Sequence, residues 1–290
     1  MHGTLAAALG IAFDGLAFGM VLYLISVGLS VTMGMMGFVN LAHGAFAMAG
    51  GYVVTGLMIR WGAPFPLALA AAAVGVGLAS IPFERLLYRR LYGGSELDQV
   101  LLTMGLIFMA TAAAHYFFGP NQVPLRLPAA LQGGVDLGFG RVPVYRGLLI
   151  GCGAVLVTAL WLGIGRSRFG AMIRAAVDNL RMAQSIGIDT SRLFGTTFAL
   201  GCGLAALGAG LGSDLLTVDP NYALNNLVYF LIVVAIGGLG SIGGPFFAAM
   251  LIGVADTACK YLAPQFGAFF IYALALAILL WRPRGLFGRA

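Results

Sequence analysis

Apolar runs of membrane-span length alternate along this chain with short clusters of charge, and that alternation predicts its elements. The first run covers residues 5–39. It exceeds the roughly 20 residues that cross a bilayer as a helix, so only part of it is needed as a span. Gly34 and Gly37 loosen its end, and Asn40 is placed to cap a second helix over residues 41–59. Arg60, Trp61 and Pro64 form an interfacial turn before a third run, 65–83, and Glu84, Arg85, Arg89, Arg90, Glu96 and Asp98 then make the first strongly charged loop. A fourth run, 100–118, leads into a different kind of connection. Residues 119–146 hold Pro120, Pro124, Pro128 and Pro143, with Gly138 and Gly140 flanking Phe139 between short β-compatible segments, the pattern of a small hairpin. Residues 147–165 and 194–216 are the fifth and sixth runs. The seventh, 227–236, enters GGLGSIGGP, residues 237–245, which no continuous helix would choose. Runs over 246–258 and 266–281 complete the set.

The fold expected is an all-α polytopic transmembrane bundle in one domain, residues 1–290, of about nine spans (eight to ten), with glycine-broken helices. Charge orients it. The loops around Arg89 and Arg181 and the tail with Arg282, Arg284 and Arg289 carry the larger basic clusters and belong in the cytoplasm. Residues 119–146, despite Arg126, Arg141 and Arg146, are then external, as is the N-terminus. No Lys or Arg precedes the first apolar run, so it does not resemble a cleaved signal peptide.

Residues 166–193, RSRFGAMIRAAVDNLRMAQSIGIDTSRL, are the longest stretch polar enough to stay in water. Read as a helix, they put Ile173, Ala176, Val177, Leu180, Ala183 and Gly187 on one face and Arg174, Asp178, Arg181 and Ser185 on the other. Gly187 suits a helix stop, and Asp189, Thr190 or Ser191 can cap the helix that follows. Five arginines against two aspartates make this segment positive. It is either a solvated connection or a docking surface for a partner protein.

Composition removes the soluble alternative. Of 290 residues, 60% are hydrophobic and 9% charged, and the mean hydropathy is +0.97. The 44 glycines suit helix seams in lipid, where small residues let backbones approach; Gly15 with Gly19, Gly147 with Gly151, and Gly208 with Gly212 are spaced for it. The net charge of +6 is spread over segment ends, a topology signal and not a nucleic-acid footprint. Cys152, Cys202 and Cys259 lie in or beside apolar segments without metal-ligand spacing.

Candidate chemistry is sparse. The one lysine, Lys260, is followed by Tyr261, so the chain holds no GxxxxGK[ST] phosphate cradle. His2, His43 and His115 are scattered and no CxxC or HExxH occurs, which argues against an enzyme and predicts no cofactor or metal held by this chain. Asp14, Asp214, Asp256 and Lys260 sit near predicted span ends, where water or snorkelling relieves their charge. Asn40 and His43 share one face of the second helix beside the flexible glycines. The glycine runs at 34–40 and 237–245 are either broken helices along a pathway or tight turns between packed spans.

Several stretches together resemble the permease subunits of branched-chain amino acid ABC importers: GMMGFVNLAHGAFAMAGGY at residues 34–52, Thr103, Met104 and Gly105, RAAVDNLRMAQSIGID at 174–189, VVAIGGLGSIGGP at 233–245 and WRPRGLFG at 281–288. Length and the NLAHG form are similar to the shorter of the two permease types. The resemblance implies a half-pore in the plasma (inner) membrane that pairs with a second related permease, two cytoplasmic ATPase subunits that bind the ATP, and an extracytoplasmic solute-binding protein. It implies a coupling segment carrying Gly170, Arg174, Ala175, Asp178, Ala183, Gly187 and Ile188. The candidate substrate-pathway residues are Asn40, His43, Gly44, Thr103, Gly105, Gly237, Gly238 and Gly240. Some members carry an acidic residue where this chain has Ala45, and relatives with similar signatures serve urea and short amides. The solute implied is a branched-chain amino acid or a related small polar molecule. The competing class is a self-sufficient secondary transporter or channel, which would need intramembrane charges placed to bind a coupling ion.

Overall fold

The computed structural model describes residues 2–125, 127–136 and 141–287. Arg126, Gly138, Phe139, Gly140, Gly288 and Arg289, all named above, lie outside them. The described residues form eleven α-helices: α1 His2–Met36, α2 His43–Trp61, α3 Phe65–Leu86, α4 Glu96–Phe118, α5 Val144–Arg166, α6 Arg168–Asp178, α7 Leu180–Ser185, α8 Thr190–Leu211, α9 Tyr222–Gly237, α10 Gly243–Leu262 and α11 Gly267–Trp281. Six of them, α1, α3, α4, α5, α8 and α10, are long and apolar enough to cross a membrane. The helical bundle expected from the apolar runs is present.

At its centre is α1. The first apolar run is one uninterrupted helix of 35 residues, so the length beyond a span is helix and not loop. Gly34 remains helical; Gly37, at φ +59°, ends the helix with its N–H returned to the Met33 carbonyl. Around α1 pack α10, α8, α5 and α9, while α8 also carries α2 and α3. Small residues make these seams. A methyl group on Gly28 would collide with the backbone of Gly201, and one on Gly253 with the Gly15 carbonyl.

Residues 119–146 contain the predicted hairpin. β1, Gly134–Asp136, pairs antiparallel with β2, Arg141–Pro143, in the register Val135 to Val142. An isolated bridge from Val123 to Val218 ties this segment to the connection between α8 and α9. These groups mark one end of the bundle, the hairpin end. The C-terminal ends of α1, α5 and α9 gather at the other, beneath α6, and a short 3-10 turn at Tyr88–Leu91 packs there as well. Tyr88 is buried against Phe38 and Phe198.

Candidate translocation and coupling sites

Asn40 does not cap α2, contrary to the sequence expectation. Ala42 occupies the cap position without a side-chain bond, and the side-chain Oδ1 of Asn40 instead accepts from the Tyr88 hydroxyl at 3.0 Å. Nearby, Gln99 on α4 accepts the Val39 N–H at 3.0 Å. The turn into α2 is thus held by two side chains distant in sequence. His43 follows, its Nε2 2.9 Å from the Ile25 carbonyl of α1. Ile25 lies 11 residues before the end of α1, about 16 Å by helical rise, so α2 begins inside the bundle and not at its surface. Asn40 Nδ2 and His43 Nδ1 are buried without a hydrogen-bond partner. A methyl on Gly44 would crowd the backbone of Ala223 of α9, and buried Thr103 returns its hydroxyl to the Gln99 carbonyl at 2.8 Å. Gly105 is exposed on α4.

The two glycine runs come together. Gly240 donates its N–H to the Ser30 carbonyl at 3.0 Å, and a methyl on Gly34 would strike the Gly240 backbone. Ser30 adds hydrogen bonds to the carbonyls of Gly238, at 3.3 Å, and Ser241, at 3.1 Å. Gly238 and Gly240, at φ +91° and +76°, adopt the left-handed backbone that makes the reversal between α9 and α10 possible. Gly237 lies against Gly244 and Pro245 across it. Residues 237–245 are therefore a tight turn between packed helices.

Residues 166–193 differ from the single helix expected. Asn179 interrupts them with an extended backbone; it ends α6 and caps α7, accepting from the Met182 N–H at 3.0 Å. The predicted faces survive this break except at Gly187, which is exposed. Ile173, Ala176 and Ala183 are buried and Val177 and Leu180 half-buried, whereas Arg174, Asp178, Arg181 and Ser185 are exposed. α6 folds back so tightly on α5 that a methyl on Gly170 would occupy the Ile164 carbonyl oxygen. Arg174 donates to that same carbonyl at 2.7 Å, satisfying an acceptor that the end of α5 leaves open. Ala175 is half-buried on α6. Gly187, at φ +89°, follows α7 as a stop, Ile188 returns its N–H to the Ala183 carbonyl at 3.1 Å, and Asp189 caps α8. Val177 of α6 reaches Gly240, so the amphipathic helix touches the junction of the two glycine runs directly. Between them opens a cleft of about 1040 Å³, walled by Gly34, Arg174, Val177, Ser241 and Phe287.

Residues 11–279 match the family described as branched-chain amino acid transport system / permease component. The chain belongs to that family. It is 30% identical to the high-affinity branched-chain amino acid transport system permease protein BraD of Pseudomonas aeruginosa over 289 residues, covering 95% of this chain and 94% of the relative. Against LivH of Escherichia coli K12, described in the same words, identity is 26% over 292 residues, covering 96% and 94%. Among solved structures, PsaBC from Streptococcus pneumoniae in complex with Fab superposes with a TM-score of 0.50 at 14% identity, covering 92% of this chain and 88% of that one, a likeness of fold alone. The chain is thus a multi-pass plasma-membrane permease of an ABC importer and not an enzyme.

Several residues that hold these two regions in place carry no local signal in the sequence. Ser30 sits in mid-helix like many a serine, and Gln99 and Tyr88 act on a turn some 50 residues away in the chain. Glu84 is buried at the end of α3 and accepts from the Tyr92 hydroxyl at 2.6 Å. Burial and this contact hold the Tyr92 hydroxyl well above its ordinary pKa, which keeps it a donor.

Proposed function

We propose that this permease and a second related permease form the path for branched-chain amino acids across the plasma membrane. Two cytoplasmic ATPase subunits, which bind the ATP, drive it, and an extracytoplasmic solute-binding protein supplies it. The observation that carries this reading is the end-to-end similarity to a branched-chain amino acid permease over 95% of the chain. Nine crossings, made by all the helices except α6 and α7, put the hairpin end outside and the α6 end in the cytoplasm, which agrees with the charge of the loops.

In this reading α6 seats in the ATPase, and its displacement passes through Val177 and Gly240 to Gly34, Ser30 and the turn at Gly237 and Gly238. That would shift the ends of α1, α9 and α10 together. Gly170, Arg174, Ala175, Asp178, Ala183, Gly187 and Ile188 shape and stiffen the seat. Asn40, His43, Gly44 and Thr103 are interior to the chain, so their place in the path requires α2 and α4 to part from α1 and α9; Gly105 already faces outward. The unpartnered Asn40 Nδ2 and His43 Nδ1 would then be offered to a passing polar solute.

The test is uptake of radiolabelled L-leucine into vesicles holding the assembled importer. Uptake should require ATP and survive collapse of the ion gradients; dependence on a gradient would instead establish the secondary transporter. Replacing Arg174 by Glu should abolish ATPase co-purification and solute-stimulated hydrolysis while the permease still folds. If both are unchanged, α6 is not the seat.

A further inference from the structure

Asp14, Asp256 and Lys260 read in the sequence as separate residues relieved by water at span ends. The fold gathers them, with Arg146, into one cavity of about 510 Å³ at the hairpin end, between α1, α5, α9 and α10. Asp14 of α1 pairs with Arg146 of α5. Asp256 and Lys260, one turn apart on α10, pair at 2.6 Å, and the Tyr229 hydroxyl of α9 donates to Asp256 at 3.2 Å. The Asp256 side chain is only 1% exposed, whereas that of Lys260 is 56% exposed, so a carboxylate forms part of the floor and an ammonium stands at the mouth. The Lys260 Nζ lies 5.7 Å from the centre of the Phe18 ring and 5.8 Å from that of Tyr229. Phe18, Leu215 and Leu216 supply an apolar wall.

Asp256 is the one of the four that is buried, and a buried carboxylate is a poor way to stabilise a bundle, since well-packed apolar residues serve as well or better. Such a group in a membrane protein is instead functional by default. The balance of charge here selects the ligand. Two cations and two anions make the cavity neutral, so an entering cation or anion alone leaves one charge unmatched beside the apolar wall. A neutral amide such as urea can hydrogen-bond to the four groups but brings no charge to exchange for either member of an ion pair. A zwitterion can place its ammonium by Asp14 or Asp256 and its carboxylate by Arg146 or Lys260, exchanging the pairs while every charge keeps a partner. The volume is that of an ordinary small-ligand site.

We propose that this cavity binds a free α-amino acid, as its zwitterion, at the hairpin end of the permease. The assignment rests on the solute class proposed above and locates a site for it in the permease itself. Binding of radiolabelled L-leucine to the purified permease complex, in phosphatidylcholine nanodiscs without a solute-binding protein, tests it. Binding should saturate, and 4-methylpentanoate, which lacks the ammonium, isopentylamine, which lacks the carboxylate, and urea should each compete at least tenfold less well than leucine. Lys260→Gln and Asp256→Asn should each weaken binding about tenfold or more at unchanged thermal stability, and Lys260→Arg should retain it. Absence of saturable binding, equal competition by a singly charged analogue or urea, or full affinity in Lys260→Gln overturns the proposal. Phosphatidylethanolamine carries a similar pair of charges, so a parallel arm includes it; a bound lipid that leucine fails to displace assigns the cavity to the bilayer and overturns the amino-acid site. Leucine uptake by the complete importer is read separately. Uptake without direct binding removes the cavity and leaves the transport function, whereas uptake of urea and not leucine removes both.

Discussion

Helices α1 and α5 are alike in apolar character and in glycine, yet they have opposite roles in packing. The apolar stretch of α1 is 89% buried and that of α5 only 11%. Spacing of glycines does not distinguish them. Gly15 and Gly19 on α1 lie against Val254 and Ala249 of α10, and Gly208 on α8 and Gly212 at its C-terminal cap receive Ile25 and Val21 of α1. Gly147 and Gly151 on α5, spaced in the same way, meet little or nothing; Gly153, outside that pair, is the α5 glycine that packs, on Met20. A glycine pair four residues apart permits close approach, and whether a neighbour uses that permission is decided by the rest of the fold.

Three substitutions break or sharpen this contrast. The largest effect belongs to Gly28→Leu at the contact between α1 and α8. No rotamer of leucine avoids the Gly201 backbone, and overpacking a tight seam costs about 1–3 kcal/mol or more. The expected result is loss of most monodisperse protein on size exclusion in detergent; wild-type yield would mean that the seam is loose. Gly240→Val comes next. It forces a β-branched residue into positive φ at a cost of about 1–2 kcal/mol and pushes on Val177 and Gly34. Because the turn is at the bundle's end, folded protein should persist while solute-stimulated ATP hydrolysis of the assembled importer falls several-fold. Hydrolysis at the wild-type level would remove the junction from the coupling route. The smallest effect is expected of Gly151→Leu, which enters open space on α5 and should alter stability by no more than about 0.5 kcal/mol in a thermal melt. A clear drop there, seen only when the second permease is co-expressed, would make α5 a contact between subunits.

Much of the fold is legible because hydrophobicity is a local property. The hairpin and the stop at Gly187 follow from residues that act within a few positions of themselves, and of the three capping candidates at 189–191 it is Asp189 that caps α8. The faces of α6 and α7 follow from helical spacing even though Asn179 divides the helix, because an asparagine can end one helix and cap the next without reversing the side that is apolar. The candidate site was less legible. Asn40 has the chemistry of a cap and is used otherwise, because Tyr88 arrives from another segment to occupy it. The meeting of Gly34 with Gly240 joins positions 206 residues apart, and no short-range pattern announces it.

By itself the sequence determined that this chain is a helical membrane protein and, through matches spread along its length, which family it belongs to. Those properties reside in composition and short-range order, which hold whatever the helices pack against. The tertiary structure alone decided that α1 is the centre and α5 the rim, that α6 touches the junction of the two glycine runs, and that four scattered charges share one cavity. Each of these is a contact between distant segments, and in a chain of interchangeable apolar helices only close packing of particular surfaces selects one set of neighbours over another.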